Sequence, residues 1–232
     1  MIAEYQAAWD GIAHPGSWWT GAERVAIARA CRDALECPLC LERKTALSPA
    51  SITGAHAGQD RSELPKIVVD LIHRIATDPA RLSKTCYDAT RAAGISDEQY
   101  VEAVGVSVQL ISIDRFYDAL GRERPPLPVP VPGAPDQRRP ASVVQGDAWV
   151  PWIDTERLEP ENADLFDGLP QAPNVLRALS LVPAEVRAWK RLSDVQYIPT
   201  KEMMSFEANG PLDRSQTELI AARVSAANEC FY

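Results

Sequence analysis

The chain has 232 residues, room for one large domain or two small ones, and its 46% hydrophobic and 24% charged residues are ordinary for a globular protein. A net charge of −8 argues against a nucleic-acid surface, because phosphate binding needs clustered cations. No apolar run approaches a membrane span, and the N-terminus MIAEYQAAWDG lacks the basic-then-apolar pattern of a secretory signal, so a cytoplasmic setting without membrane contact is expected. The five cysteines, Cys31, Cys37, Cys40, Cys86 and Cys230, are an odd number that suits a reducing compartment, where a cysteine is either a small buried hydrophobe or chemically active.

The first element is announced by Thr20-Gly21-Ala22-Glu23, a capping-box pattern, ahead of the alanine-rich run that ends at Cys37. Glu23 reads here as a capping residue. Cys37-Pro38-Leu39-Cys40 then puts two thiols one helical turn apart, with Pro38 suited to a first turn. Unpaired N–H groups at a helix start favour a thiolate. Zinc would need four ligands, no second C-x-x-C exists, and His14, His56 and His73 show no ligand spacing, so no metal is expected and His56 and His73 read as satisfied or surface histidines. Cys31 and Cys86 read as core residues.

The run LPKIVVDLIHRIATDP sets Ile67, Val68, Leu71, Ile72 and Ile75 on one helical face. A helix is predicted after Asp78-Pro79, stopping at Gly94. The next opens on a Ser96–Gln99 capping box, carries the stripe Val101, Val104, Val108 and Ile111, and closes at Gly121. Residues 122–140, RERPPLPVPVPGAPDQRRP, forbid helix and favour extended chain, read as a stiff linker between two halves or a strap on the surface. The stretch after it looks irregular, with Trp149 and Trp152 as anchors. PNVLRALSLVPAEVRAWKRLSD reads as two short helices, the second starting at Pro183. The expected class is all-α.

The last stretch, SQTELIAARVSAANECFY, repeats the first motif: Ser215-Gln216-Thr217-Glu218, an alanine-rich helix, and Cys230. Recurrence of a whole block is the mark of a duplicated unit. Glu218, LIAARVSAAN and Cys230-Phe231-Tyr232 resemble the opening of the signature of alkylhydroperoxidase D-like proteins, in the carboxymuconolactone decarboxylase-like superfamily. That signature runs glutamate, eleven residues, cysteine, two residues, cysteine, three residues, histidine. The N-terminal half is similar to a diverged copy, with Glu23, Cys37 and Cys40 at the matching places, an interval two residues longer, and Lys44 where the family has histidine.

The resemblance implies two helical copies, 1–121 and the start of a second at 165–232, joined by a proline-rich and irregular segment at 122–164. It implies homo-oligomers built by helix packing, and a peroxidase or disulfide oxidoreductase acting on a hydroperoxide. Cys40 would attack, Cys37 resolve and Glu23 serve as base; Glu218 and Cys230 would be the base and resolving cysteine of the second copy. The redox disulfide would be the only prosthetic chemistry, reduced by an external dithiol such as a lipoyl group. It also implies a polypeptide continuing past Tyr232 with a cysteine at 233 and a histidine four residues later. A non-catalytic scaffold, structural or holding a small molecule, and a cysteine-independent lactone decarboxylase are the alternatives.

Overall fold

The computed structural model describes residues 2–167, 169, 171–203, 205, 210–228 and 230; Phe231 and Tyr232, which the resemblance used, lie outside them. The class is all-α: helices α1 (Ile2–Ala13), α2 (Gly21–Leu35), α3 (Pro38–Thr45), α4 (Lys66–Thr77), α5 (Lys84–Ala92), α6 (Asp97–Ala119), α7 (Asn174–Leu179), α8 (Pro183–Gln196) and α9 (Arg214–Ala227). The sheet consists of two residues per strand, β1 (Val143–Val144) paired antiparallel with β2 (Trp152–Ile153).

Local signals set several helix ends. Thr20 with Glu23 and Ser96 with Gln99 form complete capping boxes at α2 and α6. Gly94 and Gly121 stand just past α5 and α6 at φ 90° and 62°, where a side chain would be strained. Pro79 opens a 3₁₀ turn, Pro79–Arg81, and α5 begins only at Lys84. The α9 cap differs from the Ser215–Glu218 pattern: it is Asp213 with Gln216.

The core forms around α6. Val68, Val69 and Ile72 of α4 pack with Val25, Ile27 and Cys31 of α2 and with Val106 and Leu110 of α6. On the other side Leu71, Ile75 and Val101 meet Leu176, Leu179 and Val186, so α7 and α8 share a core with the N-terminal half. Because α6 is enclosed from several sides, its stripe is wider than predicted. Val106, Leu110 and Ile113 are buried, whereas Val104 and Val108 are half-buried along a cavity of about 500 Å³.

The proline-rich segment lies against this core, a strap rather than a free linker. The Val131 N–H bonds the Ala13 carbonyl, the Trp9 indole donates to the Pro126 carbonyl, and Arg32 donates to that of Pro125. Beneath it, Arg24 of α2 bridges two buried carboxylates, Glu102 of α6 at 2.5 Å and Glu185 of α8 at 2.8 Å. Gly105 makes room for this junction, since a Cβ there would stand 2.5 Å from Glu185 Oε2. Burial opposes the Arg24 charge, but Glu185 and Glu102 outweigh it and raise its pKa; burial lifts the Glu102 carboxyl to about 7 despite Arg24. Among the described residues no helix is long and apolar enough to cross a membrane.

Candidate functional site

At the C-terminal end of α2 the chain turns through Glu36 into Cys37, the N-cap of α3, with Pro38 at the first helical position. Cys40 follows one turn later, and both sulfurs are enclosed, with Cys37 at 0% and Cys40 at 3% exposure. Residues 46–65, punctuated by two 3₁₀ turns, return across α3 and deliver His56. Leu39, Ile52 and Ala57 close the small apolar pack around the pair. His73 arrives from the middle of α4, wholly buried.

The four donor atoms, two sulfurs and one ring nitrogen of each histidine, lie within 4.8 Å of one another. His56 Nδ1 is 3.7 Å from Cys37 Sγ and 3.5 Å from Cys40 Sγ. His73 Nδ1 is 3.3 Å from Cys40 Sγ. The Cys37 sulfur accepts the Ala57 N–H at 3.3 Å. On the far side of its ring, His56 Nε2 donates to Asp70 Oδ1 at 2.8 Å, and Asp70 is clamped by Arg43 at 2.6 Å and Arg74 at 2.7 Å. Asp70, with Arg43 also 3.3 Å from His56 Nε2, thus orients the ring so that its Nδ1 edge faces the sulfurs. His73 Nε2 is buried with no hydrogen-bond partner.

Electrostatics separate the two thiols. Burial pushes Cys37 up, but the N–H groups of Ala57 and Cys40 and the side chains of His56 and Cys40 outweigh it and bring the thiol down to about 7. Cys40 is pushed up to about 12, by burial first and by the neighbouring Cys37 charge second. Burial opposes the Asp70 charge, but the bonds from His56, Arg74 and Arg43 hold its carboxyl well below the usual range. Burial and the nearby His56 bring His73 down to about 4. Cys31, buried among α2, α4 and α6 residues, is pushed up to about 12 by burial, as suits a packing residue; Cys86 is half-buried.

The other expected site residues lie elsewhere. Glu23 accepts from the Thr20 N–H at 2.8 Å and hydroxyl at 2.7 Å, so it caps α2, with about 18 Å of helix between it and the end that leads to Cys37. Glu218 is exposed on α9, taking the Tyr197 hydroxyl at 2.7 Å and Arg214 at 2.8 Å. Cys230 is exposed beyond α9, its N–H on the Ser225 carbonyl. Lys44 is exposed on α3 and holds the Arg81 side chain through its carbonyl.

The groups that do surround the pair, His56, Asp70 and His73, were missed because ligand spacing was sought along the chain. The available signal was His73 inside an otherwise apolar helix face, between Ile72 and Ile75. Comparisons with protein-family models, curated proteins and solved structures return no match.

Proposed function

We propose that Cys37 and Cys40 form a thiol–disulfide redox centre that reduces a hydroperoxide, with His56 and Asp70 as its proton relay. The observation that carries this reading is the chain of contacts from both sulfurs to His56 Nδ1 and from His56 Nε2 to Asp70. A base must lie within reach of the proton it takes and be held in the right orientation, and Asp70 holds His56 so.

In this reading Cys37 attacks and Cys40 resolves, the reverse of what the resemblance implies, since the Ala57 N–H points at Cys37 from the loop that carries His56. His56 takes the thiol proton; the thiolate attacks the terminal peroxide oxygen, the O–O bond breaks, and the proton passes to the departing alkoxide, leaving a sulfenic acid and an alcohol. The Cys40 thiol then condenses with the sulfenic acid, forming the disulfide and releasing water. An external dithiol restores both thiols by exchange and becomes a disulfide itself. A cavity of about 230 Å³ lined by Ala57, Gly58, Asp33 and Arg61 adjoins the loop over Cys37 and is the entrance this reading assigns.

The test is to treat the reduced, metal-free protein with one equivalent of hydrogen peroxide and map its disulfides by mass spectrometry. A Cys37–Cys40 bridge that a dithiol reverses is expected, and His56→Gln should slow its formation by about 10²–10⁴-fold. Cys37 and Cys40 remaining thiols while Cys86 or Cys230 oxidises would overturn the reading.

A further inference from the structure

We infer that the reduced protein binds one zinc-class divalent cation through Cys37 Sγ, Cys40 Sγ, His56 Nδ1 and His73 Nδ1. This goes beyond the redox reading and does not depend on it. A tetrahedral zinc at about 2.3 Å from sulfur and about 2.0–2.1 Å from nitrogen sets sulfur–nitrogen edges of about 3.5–3.6 Å. Three of the four sulfur–nitrogen separations around Cys37, Cys40, His56 and His73 are 3.7, 3.5 and 3.3 Å, and all four donors fall within one 4.8 Å cluster. Side-chain adjustments of up to about 1 Å bring the remaining edges to tetrahedral values.

The donor chemistry selects the ion. Two sulfurs and two imidazoles are soft and borderline ligands that suit zinc; calcium and magnesium take oxygen. The charge also closes. Two buried thiolates are costly without a cation, while two thiolates, two neutral imidazoles and one divalent ion sum to zero. Outside that shell, Asp70 bonds the far nitrogen of His56 and is clamped by Arg43 and Arg74, the carboxylate–histidine arrangement that orients a metal-bound imidazole. The His73 imidazole is fully buried and turns Nδ1 to Cys40. Ligation gives that buried ring a strong interaction at the nitrogen facing the sulfurs.

Four protein ligands leave no open coordination position, so the ion would fasten three segments rather than activate water. It ties α3, the loop over it and α4, of which the loop contributes His56 between two 3₁₀ turns and is otherwise held by few regular bonds. Asp70 is here a positioning residue.

The experiment strips metal from the reduced protein with a chelator and titrates zinc chloride against a chromophoric chelator, then repeats the titration with cobalt(II). One equivalent of zinc is expected, and cobalt should give the intense visible bands of a tetrahedral ion with thiolate-to-metal charge transfer. Cys40→Ser and His73→Gln should lose the stoichiometric uptake, and His14→Gln and Cys86→Ser should keep it. Asp70→Asn should weaken affinity by about 10–100-fold, with Asp70→Glu restoring part of it. No saturable zinc uptake by the wild type, or an octahedral cobalt spectrum without charge transfer, overturns the inference. So does undiminished uptake by Cys40→Ser and His73→Gln together; if those variants do not fold, the wild-type cobalt spectrum decides. Zinc uptake without a peroxide-induced Cys37–Cys40 bridge in the stripped protein sinks the redox reading alone, and the bridge without zinc uptake sinks this one alone.

Discussion

Helices α2 and α9 are built from one pattern and meet opposite fates. Each has a capping box, Thr20 with Glu23 and Asp213 with Gln216, and each cap precedes a cysteine by seventeen positions, Cys37 and Cys230. In that register the partner of Glu23 is Gln216, and Glu218 falls two residues further along, which accounts for the unequal glutamate–cysteine intervals. Ile27 and Ile220 then correspond, as do Cys31 and Val224. Yet α2 buries nine residues whereas α9 has none buried among those described, and Leu219, Ile220 and Val224 are exposed. What separates them is company: α2 lies against α4 and α6, which are also the elements that carry His73 and form the core. A capped, alanine-rich segment suffices to make a helix. A cysteine at its end acquires chemistry only where other segments bring nitrogen and carboxylate groups to it.

The sharpest test of that comparison substitutes its paired isoleucines. Ile27 is 0% exposed and Ile220 52% exposed. Ile27→Ala should cost about 2–5 kcal/mol in urea unfolding, and Ile220→Ala should stay within about 0.5 kcal/mol. Equal losses would mean that α9 is packed in solution, and the contrast would fail.

A second effect belongs to α2 alone, because Arg24 occupies the place that α9 fills with Thr217. The groups facing Glu102 are Arg24 of α2 and Glu185 of α8, with the Trp18 N–H as a further donor. Burial lifts Glu102 from an ordinary 4.5 to about 7, so the folded protein holds that proton more tightly than the unfolded chain. The associated stability is complete below about 4.5 and is lost as pH rises through about 7. His73, brought from 6.5 down to about 4, contributes the opposite slope over much of that window, so Glu102 is read from the difference between wild type and Glu102→Gln. The urea midpoint of the wild type relative to Glu102→Gln should fall as pH rises from about 4.5 to about 7, and a difference that stays constant or rises over that window would show that the fold does not favour the protonated Glu102 carboxyl.

The smallest effect is expected at the caps. Thr20→Ala should lower global stability by about 1 kcal/mol, since unfolding α2 dismantles the core. Asp213→Ala should speed amide exchange within α9 while leaving the unfolding midpoint unchanged. A drop in the midpoint of Asp213→Ala matching that of Thr20→Ala would erase the distinction between a packed and an unpacked copy of the motif.

Much of the fold was legible before any coordinates. The caps at Thr20 and Ser96, the stops at Gly94 and Gly121, the helix start at Pro183 and the non-helical, extended run at 122–140 depend on backbone chemistry within a few residues. The Cys37–Cys40 pair was legible for the same reason, as one helical turn of a local motif. The start of α5 was misplaced by a few residues because Pro79 can open a 3₁₀ turn as readily as an α-helix. The α9 cap was misplaced because the Ser215–Glu218 and Asp213–Gln216 patterns overlap, and spacing alone does not choose between them.

The surroundings of the pair were decided by tertiary structure alone. His56 lies sixteen residues beyond Cys40, Asp70 thirty and His73 thirty-three, at intervals with no short-range meaning. They converge because α4 packs along α2 and the loop between α3 and α4 folds back over the sulfurs. The junction of Arg24, Glu102 and Glu185 was equally hidden: three charged residues on three helices share no pattern along the chain, and they must satisfy one another only where α6 is enclosed. Sequence by itself determines which segments are helical and where they stop, because those choices are made within one turn of backbone. Which side chains share a site depends on how the segments pack, and the energy of that packing comes from contacts between residues far apart in the chain.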